Sequence, residues 1–182
     1  MELYFVTGNQ DKFREASAIM LRYGIRLKML NAELDELQEK EVSKVSVHKA
    51  RQAFERFGKP LFVEDTGLYI TGFNGYPGSL IKHFVNSIGG NGIAKCLRGK
   101  DRHARAVCVA TYADRQGLRS FTGEIHGTIA GRPRGSYDFG WDPVFVPQGS
   151  KKTFAQMGMD EKNMLSHRRK ALESLASWLH SR

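Results

Sequence analysis

The chain has 182 residues, 41% of them apolar, with 28 basic and 19 acidic side chains and a formal net charge of +9. That length and apolar content fit one folded domain, residues 1–182, and exclude a globally disordered chain; no apolar run is long enough to cross a bilayer. The basic balance points to an anionic partner, either nucleic acid or phosphates, or to nothing more than a solvated basic surface.

The N-terminal run "MELYFVTGNQ" turns apolar at once with no basic stretch before it, which argues against a signal peptide and for a cytoplasmic protein. Its core, "LYFVT", reads as a buried strand ending in the Gly8-Asn9 turn. From Phe13, apolar residues at Ala16, Ile19, Met20 and Tyr23 keep helical spacing up to Gly24. The segment "VTGNQDK" is therefore a strand, a glycine turn and a helix start. Free N–H groups and the helix dipole make such a junction an anion site, and Lys12 in the first turn opposes the dipole. The other reading is a plain turn with Asn9 as N-cap.

"IRLKML" alternates as a strand. "AELDELQEKE", Ala32 to Glu41, then gathers five carboxylates around one lysine, as a metal site or as an exposed loop. Val42, Val45, Ser46, Ala50, Ala53 and Phe57 mark a second helix, closed by Gly58 and Pro60. Lys49 falls on its apolar stripe between Val45 and Ala53. An unpaired ammonium there is costly, so it either snorkels to water or faces a cleft that holds an anion.

"LFVED" reads as a short buried strand ending in Glu64 and Asp65, followed by a glycine-rich loop, "TGLYITGFNGYPGS". Ligands collect at the carboxyl ends of strands in open α/β sheets. Adjacent strand residues face opposite ways, so only one of the two acids serves a given site, if they are not simply solvated.

Helical segments are expected over Leu80–Ser87 and Ile93–Leu97, and longer strands at "ARAVCVATYA" and "LRSFTGEIHGTIA". The loop "GRPRGSYDFGWDPVFVP" carries Phe139 and Trp141, which either stack on a planar base or form an aromatic mini-core. A helix over Met164–Leu179 closes the chain. With Ser166 as its cap, Arg168 falls in phase with Leu172, Leu175 and Leu179. It either points to a cleft edge, where its fixed donors read an oxygen, or snorkels out. Cys96 and Cys108 are the only cysteines, and neither CxxC nor HExxH occurs. Reduced thiols are the simpler reading, with a disulfide left open. Helices and strands alternate early and strands cluster late, which predicts an α/β fold with a mixed, twisted sheet and two lobes around a cleft.

Five segments, "TGNQDK", "VEDTGL", "GYPGSLIKHF", "FGWDPVF" and "EKNMLSHRRKAL", stand in an order that resembles the inosine triphosphate pyrophosphatases over nearly the whole chain. The resemblance implies an elongated mixed-sheet α/β fold, a homodimer, and Mg²⁺-dependent hydrolysis of dITP, ITP and XTP to a nucleoside monophosphate and pyrophosphate. It implies that Thr7, Gly8, Asn9, Gln10, Asp11 and Lys12 bind the triphosphate, with Lys49 and Lys82 as further phosphate-binding lysines. Asp65 matches the general base and metal ligand, Glu36 a second metal ligand, and Thr66 a neighbour of the substrate. Phe139, Gly140, Trp141, Asp142, Lys162, His167 and Arg168 match the base and ribose pocket. The expected partner is a purine nucleoside triphosphate, with no membrane and no stable nucleic-acid complex. Two rival readings are a related pyrophosphatase acting on pyrimidine or other modified nucleotides, of the septum-inhibitor-like kind, and a basic nucleic-acid-binding domain. The latter gives no reason for carboxylates on a buried strand.

Overall fold

The computed structural model describes residues 1–136 and 140–182. β1 (Glu2–Val6), α1 (Gln10–Leu21) and β2 (Arg26–Leu30) follow the expected order, and Gly24 turns the chain between α1 and β2 with a φ of 67°. That left-handed conformation suits a residue without a Cβ. After an irregular stretch, α2 (Val42–Phe57) ends where Gly58, at φ 61°, donates its N–H to Phe54 O.

β3 corrects the short-strand reading, for it runs from Leu61 to Ile70, straight through the glycine-rich segment. Gly67 marks crowding here, since a Cβ on it would meet Tyr69 Cε2 at 3.0 Å and the Gly78 carbonyl carbon at 3.2 Å. β4 (Tyr76–Gly78) pairs with the end of β3, and α3 (Ile81–Cys96) follows, broken at Gly89 into the two segments expected. β5 (His103–Asp114) and β6 (Gly117–Ile129) form a long antiparallel hairpin, with β7 (Phe145–Pro147) on its outer edge. The single closing helix is in fact two, α4 (Met159–Leu165) and α5 (His167–His180). Ser166 between them is extended and accepts the Arg169 N–H on its hydroxyl, so α5 is capped as the sequence suggested.

The sheet order is β2-β1-β3-β5-β6-β7, with β1 parallel to β2 and β3 and the remaining pairs antiparallel. One face carries two separate cores. The first packs α1 and α5 on Phe5, Phe62, Ala110 and Tyr112, and the second gathers Ile81, Ile93, Trp141 and Phe154 over Leu68, Ala106 and Ile125. On β3 the residues of that face lying between the two cores are Glu64 and Thr66. α2 covers the opposite face, over Leu61, Val63 and Ala113. Along one edge of β3, residues 61–62 pair with β1 and residues 68–70 with β4. The intervening edge is left to side chains, and this is where a cleft opens. Among the described residues no helix is long and apolar enough to cross a membrane, and both cysteines are free thiols.

Candidate active site

The cleft measures about 340 Å³. Of the expected site residues, Asn9, Asp11, Lys12, Glu36, Asp65, Thr66, Lys82, Gly140, Trp141, Asp142, Lys162, His167 and Arg168 line it. Thr7, Gly8 and Gln10 belong to the same β1–α1 turn, and Lys49 lies just behind, bonded to two lining carboxylates. Phe139 lies outside the described residues.

At the β1–α1 turn, Thr7 Oγ1 accepts the Asn9 N–H at 3.1 Å, and Asn9 Oδ1 accepts the Lys12 N–H at 2.9 Å. The N-cap reading of Asn9 is thus correct, and the cap takes the Lys12 N–H while Thr7 takes that of Asn9, so two of the N–H groups expected to be free are occupied. Gln10 and Asp11, in the first turn, have no intrahelical acceptor within reach. Lys12 bends to β3, where its ammonium donates to Glu64 O at 3.2 Å and lies 3.5 Å from Glu64 Oε2.

The acidic stretch is a loop fastened at both ends. Gln52 bonds both backbone groups of Asp35, while Tyr69 Oη and the Ser79 N–H both donate to Lys40 O. Between these anchors Glu36 reaches Lys49, whose ammonium lies 3.0 Å from Glu36 Oε1 and 2.7 Å from Asp65 Oδ1. Burial works against the Lys49 charge, yet Asp65 and then Glu36 raise its pKa above the ordinary value. Asp65 Oδ2 is buried and has no hydrogen-bond partner among the described residues. Among the described residues no three Asp, Glu, His or Cys side chains form a ready-made metal centre. Two hard carboxylates with one unsatisfied oxygen nevertheless suit an Mg²⁺ ion that takes its remaining ligands from phosphate and water.

At the other end lies a buried ionic cluster that sequence reasoning missed. Glu15 on α1 and Glu64 on β3 are its unexpected members, buried with Asp142, Lys162 and Arg168. Lys162 Nζ lies 2.6 Å from Glu15 Oε1 and 2.5 Å from Asp142 Oδ2. Arg168 donates to Glu15 Oε2 through Nη1, and to Glu64 Oε2 and Oε1 from Nε and Nη2 at 3.3 and 3.4 Å. Glu64 and Asp65 do face opposite ways, Glu64 toward Arg168 and Asp65 toward Lys49. Glu15 carried the signal that exposed Lys49, a charge one turn from Ile19 on an apolar stripe.

The charges in this cluster are unequal. Burial opposes ionisation of Glu15, but Arg168 and Lys162 together hold its pKa below the usual carboxylate range. Burial pushes the Asp142 pKa up to about 6 against the pull of Lys162, which it shares with Glu15, and the negative charge of Glu15 adds to the rise. His167 is 2% exposed, beside the rings of Trp141 and Phe154 at centroid distances of 5.4 and 6.2 Å. Burial, and next the Arg168 charge, push its pKa well below the ordinary value. It is a neutral imidazole, and neither ring nitrogen has a hydrogen-bond partner among the described residues. One N–H donor and one acceptor are therefore available to a ligand in the cleft. Trp141 is aromatic core and cleft wall at once, packed on Phe145 and Phe154.

Comparison with known proteins bears on the family and the fold. The profile of the Ham1 family matches residues 3–178. A dITP/XTP pyrophosphatase of Methanopyrus kandleri is 42% identical over 98% of this chain and 96% of its own. An inosine triphosphate pyrophosphatase of Yarrowia lipolytica is 41% identical over 98% and 96%. The structure of a HAM1 protein from Coxiella burnetii superposes with a TM-score of 0.87 at 26% identity, covering both chains in full.

Proposed function

The chain belongs to the Ham1 family, and from that premise we propose that it hydrolyses dITP, ITP and XTP at the α–β bond, giving a nucleoside monophosphate and pyrophosphate. The observation that carries this is one cleft with two unlike ends. One end has two carboxylates around Lys49, with Lys12 and a helix N-terminus alongside; the other has a buried neutral His167 between aromatic rings and a guanidinium.

In this reading the triphosphate lies along the β1–α1 turn, held by the N–H groups of Gln10 and Asp11 and by Lys12, Lys49 and Lys82. Glu36 and Asp65 would hold Mg²⁺, which when bound supplies Lewis acidity to phosphate oxygens. Asp65 takes the proton of the attacking water. That water forms a bond to the α-phosphorus while the bridging α–β P–O bond breaks, and the lysines neutralise the charge gathering on the leaving pyrophosphate. His167 and Arg168 read the base edge, Trp141 flanks it, and Asp142 and Lys162 close the ribose side. The reading extends to a homodimer acting in the cytoplasm, which sedimentation and fractionation test.

The decisive assay incubates the protein with Mg²⁺ and each of ITP, dITP, XTP, GTP, ATP and pyrimidine triphosphates, and follows pyrophosphate and orthophosphate separately. Rapid release of pyrophosphate from ITP and XTP, poor release from GTP and almost none from ATP is expected. Orthophosphate as first product, or a preference for pyrimidines, overturns the reading.

A further inference from the structure

The proposed chemistry leaves the buried carboxylate of Glu64 without a task. Glu64 sits in the middle of β3, 4% exposed, on the face away from Asp65 and Glu36, so it reaches neither the candidate metal site nor the attacking water. Two cleft cations share it. Lys12 Nζ lies 3.5 Å from Oε2, and Arg168 Nε lies 3.3 Å from the same oxygen. Oε1 takes Arg168 Nη2 at 3.4 Å and the Cys108 thiol at 3.2 Å. Burial opposes its charge, but Arg168 and Lys12 keep Glu64 ionised far below the usual carboxylate range.

We infer that Glu64 is a positioning residue that couples the phosphate end of the cleft to its base end, an inference that rests on the function proposed above. Lys12 and Arg168 touch different parts of a nucleotide in that reading, yet both are tied to one carboxylate oxygen. The three charge contacts to Glu64 are long for charge-assisted bonds, which settle near 2.7–2.9 Å, so Glu64 holds neither cation tightly, although Arg168 is also anchored to Glu15. A phosphate that draws Lys12 forward withdraws a competitor from Oε2. The existing two-point contact of Arg168 Nε and Nη2 with Oε2 and Oε1 can then shorten into a tight fork, which fixes the plane of the guanidinium more firmly. Phosphate binding thereby presets the group that reads the base, and by linkage base binding favours the forward position of Lys12. A merely structural ion pair produces no such linkage.

The test splits the substrate in two. Inosine is titrated calorimetrically into the Mg²⁺-loaded protein, with and without saturating pyrophosphate. Wild type should bind inosine about fivefold more tightly or better when pyrophosphate is present, the lower bound of ordinary coupling between sites. Glu64→Gln, which keeps the shape and removes the charge, should lose that gain. An inosine affinity that pyrophosphate does not improve, absence of detectable binding in both cases included, overturns the inference. A gain that survives Glu64→Gln overturns it as well. If Glu64→Gln does not fold, the wild-type titration decides alone, the gain supporting the coupling and its absence refuting it. Pyrophosphate release from ITP by the same preparation keeps the two readings apart. No release refutes the function, whereas release without the inosine gain refutes only the coupling.

Discussion

Lys49 and Asp65 are joined by an ion pair of 2.7 Å, and the same ammonium holds Glu36 at 3.0 Å. The lysine thus stands between the two carboxylates that suit a metal ion, a half-buried cation keeping two acids together. Replacing it with alanine leaves those acids to repel each other. Lys49→Ala should lose about 1.5–3 kcal/mol of triphosphate binding, the range for hydrogen bonds to charged groups. It should also melt at a lower temperature than wild type without added metal. Mg²⁺ should then raise its melting temperature more than that of wild type, because the ion replaces the missing positive charge between Glu36 and Asp65. Equal Mg²⁺ shifts in the two proteins would show that these carboxylates do not share a metal.

Asp65 supports a sharper test of the chemistry. Asp65→Asn preserves volume and leaves Lys49 its bond to Glu36, so the fold should persist. Turnover of ITP should fall by at least ~10²-fold, the low end for losing a positioned base. Nucleotide affinity, measured by equilibrium binding, should change far less. A folded variant with wild-type turnover removes Asp65 from the mechanism.

What the sequence made legible followed from local periodicity. Lys49 stood out because a charge interrupted an apolar helix stripe, Ser166 because a cap must precede a helix, and the opposed directions of Glu64 and Asp65 because strand side chains alternate. Two kinds of feature were hidden. β3 was cut short because Gly67 looked like a loop residue, whereas it allows β4 to approach closely. The partners of Arg168 were hidden by distance along the chain, since Glu15 and Glu64 lie 153 and 104 residues away. No helical or strand period links positions so far apart. The apolar phase of Arg168 was read correctly, but the carboxylates that make its burial tolerable appear only once α1, β3 and α5 are packed together.

Asp142 should mark the pH dependence of stability. Its pKa rises from 3.8 unfolded to about 6 folded, chiefly through burial. Between those values the folded state holds the proton more tightly. Its stabilising effect is complete below about pH 4 and is lost as pH rises through about 6. The shift corresponds to something on the order of 3 kcal/mol at 1.36 kcal/mol per unit. Glu15 and Glu64 work the other way, because their folded pKa values are lowered and their contribution fades only as pH falls below the ordinary carboxylate range. The stability of wild type relative to Asp142→Asn, taken from urea melts between pH 4 and pH 7, isolates the Asp142 contribution. That difference should decline across the window and level off above it. A difference independent of pH would mean that Asp142 titrates normally.

Arg168 should bear on the choice of base. Hypoxanthine and xanthine present an acceptor oxygen at position 6, where adenine presents a donor amino group. Arg168 has donors only and cannot deprotonate, so adenine would set donor against donor in a site from which most water is excluded. A site built on such a contact can reject the wrong partner by ~10⁴-fold or more. Arg168→Ala is the obvious variant but a poor one. Glu15 and Glu64 are buried against the guanidinium, and stripping a buried pair of one partner costs about 3–5 kcal/mol. Lost activity could then mean only a lost fold. Arg168→Lys keeps the positive charge beside both carboxylates while giving up the planar fork and its reach. Its melting temperature should stay near that of wild type. Its kcat/KM for ITP should drop while that for ATP stays nearly constant, narrowing the ratio between them by about tenfold or more, which corresponds to one hydrogen bond to a charged group. Measuring both constants for both nucleotides on each protein decides the matter. If the ratio survives in a folded Arg168→Lys enzyme, the guanidinium serves only as counter-ion to Glu15 and Glu64, and base selection falls to His167 and the loop that carries Trp141.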